Sequence, residues 1–560
     1  MTALVTENIA LLAEAPQGIS RLRALILELA IRGKLVPQDA EDEHPSEFFS
    51  RIDRGKAAKF TKGELARFES LASSPVDSSP FVIPPNWEWR RLGSLGLIGS
   101  SSRVHQKDWT SAGVPFYRTR EIVQLAKTGS VEPDLFISEE LYDELTQRGP
   151  GPAPGDIMLT GVGTIGVPYV VQEGDRFYFK DASVLIFKNH FEMSPEYLSL
   201  VFSSPYWKET IHKESMGTTV HTLTISRANE VLIPVAPAGE QARIVAKVDE
   251  LMALCDRLEA EQAEAEAAHA KLVEALLASL TQARDAADFR ASWQQLAEHF
   301  HTLFTTEASV EALKLTVLRL GVMGKLVANA IDGESASQLL ARIAHARTAG
   351  KATSPTDAVQ GPYELPPNWC WTTLPAVGEL ARGKSKHRPR NDPALYSGGT
   401  IPLVQTGDVA RASGLINTCT GKYNALGLAQ SRLWPAGTMC ITIAANIADS
   451  AILGFDACFP DSVVGFIPGL PEVDVKYFEY FLRTAKADLQ KFAPSTAQKN
   501  INLDILSSLY LPLPPLGELN RIVALVDDLF ALCDQLKLNL AQARQHHEHL
   551  ASVLVEQAVA

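Results

Sequence analysis

The sequence predicts an α+β fold in which two tandem-repeated α/β domains are separated by a pair of long antiparallel coiled-coil helices with pseudo-twofold symmetry. Three observations predict it. Four motifs occur twice in the same order, each copy passes from helical to strand-rich texture and back, and each ends in a heptad-patterned run of about 40 residues.

The repeats are explicit. IPPNWEW at 83–89 returns as LPPNWCW at 365–371, a shift of 282 (369 minus 87, first Trp to first Trp). GKLV at 33–36 returns at 324–327. GEQARIVAKVD at 239–249 returns as GELNRIVALVD at 517–527, and LCD at 254–256 returns at 532–534, both shifted by 278. The chain is thus a tandem duplication with repeats of about 1–283 and 284–560.

Each repeat has the same internal order. A helical framework segment fills 1–52, with Leu22, Leu25, Ile26 and Leu29 at helical spacing and a stop at Gly33; 284–345 copies it through Leu313, Val317, Leu320 and Gly324. Linkers rich in Ser, Pro, Lys and Gly follow at 53–80 and 346–361. Sheet domains follow at 81–236 and 362–514, where short β-branched and aromatic runs are broken by Gly and Pro. Long helices at 237–283 and 515–560 close the repeats. Their steps of four and three place Ile244, Val248, Leu251, Cys255 and Leu258 on a seam, continued by Gln262, Ala265, His269, Leu272 and Leu276. Adding 278 gives Ile522, Val526, Leu529, Cys533 and Leu536, then Leu540, Ala543, His547, Leu550 and Leu554. Such helices are on the order of 60 Å long and would serve as a ruler by packing against each other; the alternative is that each caps its own domain.

Composition bounds the function. At 560 residues, 46% apolar and 21% charged, the chain can bury several cores, and no stretch approaches the roughly 20 apolar residues of a membrane span. The N-terminus lacks signal-peptide features and the six cysteines never form a C-x-x-C pair, which together predict a cytoplasmic protein. A net charge of −13 argues against strong autonomous DNA capture, but the acidity is uneven. The second sheet domain has 13 Lys/Arg against 12 Asp/Glu, the first 14 against 18.

Motifs that could carry chemistry do not survive their context. GELARGKS at 378–385 fits the P-loop pattern, yet the following KHRPRNDP cannot start the helix that would hold phosphate. PPNW at 84–87 inverts the order of the adenine-methyltransferase motif and no glycine-rich cofactor loop precedes it. His546, His547 and His549 read as seam and polar-face residues rather than metal ligands.

Candidate DNA contacts lie at corresponding places in the two sheet domains. After the lead-in, Arg103 and Lys107 answer Lys384, Lys386, Arg388 and Arg390. Arg118, Thr119 and Arg120 align with Gln405, Thr406 and Gly407 at a strand end where Arg or Gln could pair with base edges. Thr164 aligns with Asn446 in a small polar turn. Lys213, Thr218, Thr219 and His221 align with Lys491, Ser495, Thr496, Gln498 and Lys499 in a loop before the exit, suited to phosphates or base edges.

Two divergent sheet domains, each left through runs such as IPVAPAGEQARIV (233–245) and LPLPPLGELNRIV (511–523), resemble the specificity subunits of Type I restriction-modification systems. The second copy departs in having Leu519 where the first has Gln241. The resemblance implies that the sheet domains are target recognition domains reading the halves of a bipartite site in double-stranded DNA, with the long helices setting the spacer. It implies two modification subunits that methylate adenine N6 with S-adenosylmethionine, and up to two restriction subunits using ATP and magnesium. Those cofactors belong to the partners; none is expected in this chain, which is expected to be non-catalytic. Arg32 to Val36 and Lys325 to Val327 are the expected docking surfaces. The competing reading is a coiled-coil scaffold or adaptor without base readout.

Overall fold

In the first unit, helix α1 (Gly18–Ile31) ends at Gly33, whose φ of 67° suits glycine. It is followed by β1 (Glu88–Arg91), β2 (Leu97–Ser100), β3 (Val114–Tyr117), α2 (Thr119–Thr128), β4 (Phe136–Ile137), β5 (Ile157–Thr160), β6 (Pro168–Val170), β7 (Tyr178–Phe179) and β8 (Val184–Lys188). Then come α3 (Pro195–Ser203), α4 (Pro205–Lys213), β9 (Leu232–Val235) and the 45-residue α5 (Ala238–Gln282). The second unit has α6 (Glu307–Val322), β10 (Cys370–Thr373), β11 (Gly378–Arg382), β12 (Ile401–Leu403), α7 (Thr406–Arg411), β13 (Leu415–Ile416), β14 (Gly421–Tyr423) and β15 (Leu433–Trp434). It continues with β16 (Met439–Thr442), β17 (Ser450–Leu453), β18 (Ala457–Cys458), β19 (Val463–Pro468), α8 (Val475–Lys491), β20 (Tyr510–Leu513) and the 44-residue α9 (Leu516–Val559). The structure, a computed structural model, describes residues 9–43, 47, 50, 67–68, 70–72, 79–189, 193–213, 222–329, 333–347, 361–387, 389–491 and 501–559.

The duplication extends to topology. β2-β8-β5-β6 form an antiparallel sheet and β4-β3-β7 a smaller mixed one; β11-β19-β16-β17 and β14-β12-β18 repeat both orders, with β13 and β15 added at the edges. Alternation of side chains gives each main sheet two buried faces. Ile157, Leu159, Leu185 and Phe187 face α3, while Met158, Val184 and Ile186 join Ile122 and Leu125 of α2. That is why these strands read as unbroken apolar runs.

Both ends of each sheet domain meet at a neck. β1 pairs antiparallel with β9 and β10 with β20. Below each pair the repeated motifs converge. The Trp87 indole donates to Glu240 Oε2 at 2.9 Å and the Trp369 indole to Glu518 Oε2 at 2.7 Å, with all four side chains buried. A Cβ on Gly33 would lie 2.4 Å from the Pro84 ring, and one on Gly324 2.4 Å from Pro366, so each glycine is also required by close packing. Tyr197 donates to the Pro234 carbonyl at 2.8 Å and Tyr477 to that of Pro512 at 2.6 Å. Burial pushes the Glu240 carboxyl upward, opposed by hydrogen bonds from Trp87 and Gln38. The Gln241-to-Leu519 difference falls here. Gln241 donates to the Ala236 carbonyl at 2.8 Å, whereas Leu519 is buried as an apolar group.

The two compact units do not coincide with the sequence repeats. One is Met1–Ala265 with Ala543–Ala560, the other Glu266–Gln542. Each long helix therefore starts in its own unit and ends in the other. Ile244, Val248, Leu251 and Cys255 are buried and Leu258 half-buried in a core shared with α1 and with Ala551 and Ala558 from the end of α9. Ile522, Val526 and Cys533 are buried, with Leu529 and Leu536 half-buried, beside α6 and Val273, Leu277 and Leu280 from the end of α5. The first half of each seam thus packs within its own unit. The continuation is corrected in part: Gln262, Ala265 and Ala543 are exposed, and Leu272 and Leu550 are 52% and 54% exposed, whereas His269 and His547 are half-buried and Leu276, Leu540 and Leu554 pack against the cores. A 3.5-residue pattern slips about 20° per heptad on a straight helix, so after roughly four heptads the buried face has moved on by nearly one residue. Val273, Leu277 and Ala551 take it over.

The segments expected to dock partner subunits also make contacts within the chain. Lys34 Nζ donates to the Val559 carbonyl at 2.8 Å, and Lys325 Nζ to those of Thr281 and Ala283 at 2.7 and 2.9 Å. These lysines satisfy the unpaired carbonyls at the ends of the long helices, and Leu35 is buried.

The neck makes a prediction. Trp87→Phe and Trp369→Phe each leave a buried carboxylate short of a donor and should each cost about 1–3 kcal/mol in denaturant unfolding. Trp89, whose indole N–H has no hydrogen-bond partner among the described residues, serves as the control: Trp89→Phe should cost less. Equal losses for Trp87→Phe and Trp89→Phe would remove the hydrogen bond from the account.

Candidate nucleic-acid interface

In each sheet domain the small polar turn singled out in the sequence meets the residue that follows the pre-exit loop. The β5–β6 turn is built on Thr160, whose hydroxyl accepts from the Val167 amide at 2.9 Å; Thr442 likewise accepts from the Asp449 amide at 3.0 Å. Gly163 and Gly166 have φ of 80° and 75°, and the equivalent Ala445 and Ala448 have 65° and 62°. The second turn thus keeps a left-handed path that costs alanine about 1–2 kcal/mol per residue. The residue after the pre-exit loop is tied to each turn: the Leu223 amide donates to Gly161 at 2.8 Å and the Ile501 amide to Ile443 at 3.0 Å. In the first domain the start of α2 joins the same turn, since the Thr119 hydroxyl donates to the Ser183 carbonyl at 3.1 Å and the Gly161 amide to that carbonyl at 2.8 Å.

Thr164 and Asn446 are exposed at the tips of these turns. Arg118 and Gln405 occupy N-cap positions of α2 and α7 rather than plain strand ends. Their amides donate to an acid three residues on, Glu121 at 2.9 Å and Asp408 at 2.8 Å, both buried. Gln405 is exposed and Thr406 half-buried. The arginine pair is not free: Arg118 and Arg120 both bond Glu121 and Asp134. Burial pushes the Glu121 carboxyl up, but these arginines outweigh it and hold it below the usual carboxylate range.

Arg103 and Lys107 are exposed after β2, and Lys384 and Lys386 after β11, with the Lys384 carbonyl accepting from the Ser431 hydroxyl at 2.9 Å. Arg390 pairs with Asp461 at 2.8 Å. Lys213 and Lys491 are each 77% exposed and pair only along their own helices, with Glu209 at 3.6 Å and Asp488 at 2.8 Å. Arg388, Thr218, Thr219, His221, Ser495, Thr496, Gln498 and Lys499 lie outside the described residues.

Sequence reasoning missed Glu121, Asp134 and Asp408. The two capping acids were legible from their spacing, three residues after the cap. Asp134 was not, because its contact is made across α2. The P-loop-like run contains strand β11, and no helix starts at Lys384. Among the described residues no group of three or more His, Cys, Asp or Glu is disposed to hold a metal, and no helix is long and apolar enough to cross a membrane.

Comparison with known proteins follows the same division of the chain. The family model for the Type I restriction modification DNA specificity domain matches residues 84–267 and 369–543. The chain is 28% identical over 590 residues to the Type I restriction enzyme EcoEI specificity subunit of Escherichia coli, covering 97% of this chain and 94% of that one. It is also 28% identical over 586 residues to the EcoAI specificity subunit of the same species, with the same coverage. A chain solved in a study of complex assembly and conformational transition of the type I R-M system superposes with a TM-score of 0.50 at 19% identity, over 86% of this chain and 99% of that chain, a likeness of fold. Since both matched stretches fall on the duplicated sheet domains, the chain belongs to the Type I restriction-modification specificity family, as a specificity subunit with two target recognition domains.

Proposed function

We propose that this chain is the cytoplasmic DNA-reading subunit of a Type I restriction-modification complex and performs no chemistry itself. Each recognition domain reads one half of a bipartite duplex site. The chain also holds two modification subunits, which methylate adenine N6 with S-adenosylmethionine, and up to two restriction subunits that use ATP and magnesium. One observation carries the reading. The necks are the same in both domains while the edges differ, with Arg118, Arg120 and Thr164 in one and Gln405, Thr406 and Asn446 in the other. Matched mounts bearing different polar groups suit two different half-sites. One acidic and one near-neutral recognition domain also give weak phosphate attraction, so the grip on the duplex is assigned to the assembled complex.

Two outcomes test this. Exchanging residues 81–236 for another recognition domain should change one half of the methylated motif and leave the other intact; a change in both halves contradicts independent reading. Removing one heptad from the exposed middle of both long helices shortens each by about 10 Å, which should shift the half-site spacing by about three base pairs. Unchanged spacing contradicts the ruler role.

A further inference from the structure

The arginine pair of the first recognition domain is built in two layers. Behind it lies Glu121, 2% exposed, which accepts from Arg118 Nη2 at 2.8 Å and from Arg120 Nε at 2.5 Å. In front lies Asp134, on the connection between α2 and β4. Its Oδ1 accepts from Arg118 Nη2 at 3.0 Å and its Oδ2 from Arg120 Nη2, so one carboxylate bridges two guanidinium groups. The Arg120 and Asp134 side chains are 65% and 56% exposed. The buried layer fixes the two forks, and the exposed layer occupies them.

We infer that Arg118 and Arg120 form a binding site for one DNA phosphodiester and that Asp134 is its resident mimic, displaced when the duplex docks. This rests on the DNA-reading function proposed above. The two non-bridging oxygens of a phosphodiester offer the same bridging geometry as the two Asp134 oxygens, and Arg forks match both groups. The exchange is cheap because an exposed ion pair contributes little in water. Glu121 stays behind, so the arginines remain oriented when Asp134 leaves. With Asp134 in place the cluster is neutral, two positive charges against two negative, so it attracts random duplex weakly and engages only where the rest of the edge fits. The second domain lacks the pair: Gln405 and Gly407 stand at the equivalent positions, and Asp408 is bonded by Arg411 at 2.6 Å. The site therefore belongs to the first half-site.

The test is salt-dependent binding of the full chain to a random-sequence duplex, with melting curves to confirm folding. Asp134→Asn should tighten binding about two- to fivefold and steepen the slope of log K against log salt by about 0.9. Adding Arg120→Gln to the Asp134→Asn chain should make that slope shallower again by a similar amount. An Asp134→Asn chain with unchanged affinity and slope overturns the mimic, even if Arg120→Gln weakens binding. If Arg118→Gln and Arg120→Gln leave the slope unchanged but alter the bases of one methylated half-site, the arginines read bases. The phosphodiester site then falls while the DNA-reading function stands.

Discussion

The hydrogen bond from the lead-in tryptophan to the exit glutamate is the constraint on which the rest of the chain depends. Trp87 with Glu240, and Trp369 with Glu518, join the strand that enters a sheet domain to the helix that leaves it. A buried carboxylate needs a donor, and a tryptophan can bring one while filling apolar space. The left-handed Gly33 and Gly324 let the end of the preceding helix close over the same point. Everything between the two neck strands is then free to diverge, because the neck does not depend on it.

The long helices extend this logic from a domain to the chain. Each begins in the core of its own unit and ends capped by a lysine of the other, Lys325 for α5 and Lys34 for α9. Each helix is exposed along its middle. Those middle residues are 260–268 in α5 and 541–546 in α9. Their length can vary without disturbing a core.

The framework was legible in the sequence because it is constrained twice. The same Trp, Glu, Gly and Lys must recur wherever the neck and the helix caps recur, and shifts of 278 to 291 expose them. The seam was legible for half its length, since its heptad spacing approximates a helix over two or three turns and then drifts. The recognition edges were much less legible. Their left-handed turn is written with glycines once and alanines once, and Asp134 reaches the arginines from a position that no periodicity marks. Lys34 and Lys325 were recognised as repeated, yet their carbonyl partners lie at the far end of another helix, where a local reading does not look.

The central claim is that duplicated mounts carrying different faces make one chain read two half-sites. The most direct measurement is base-modification sequencing of the host genome with and without this gene. The account predicts a split motif, two specified halves separated by a fixed unspecified gap and methylated at adenine, that disappears completely on deletion. Persistence of every adenine-methylated motif, or loss of a single uninterrupted one, would contradict it.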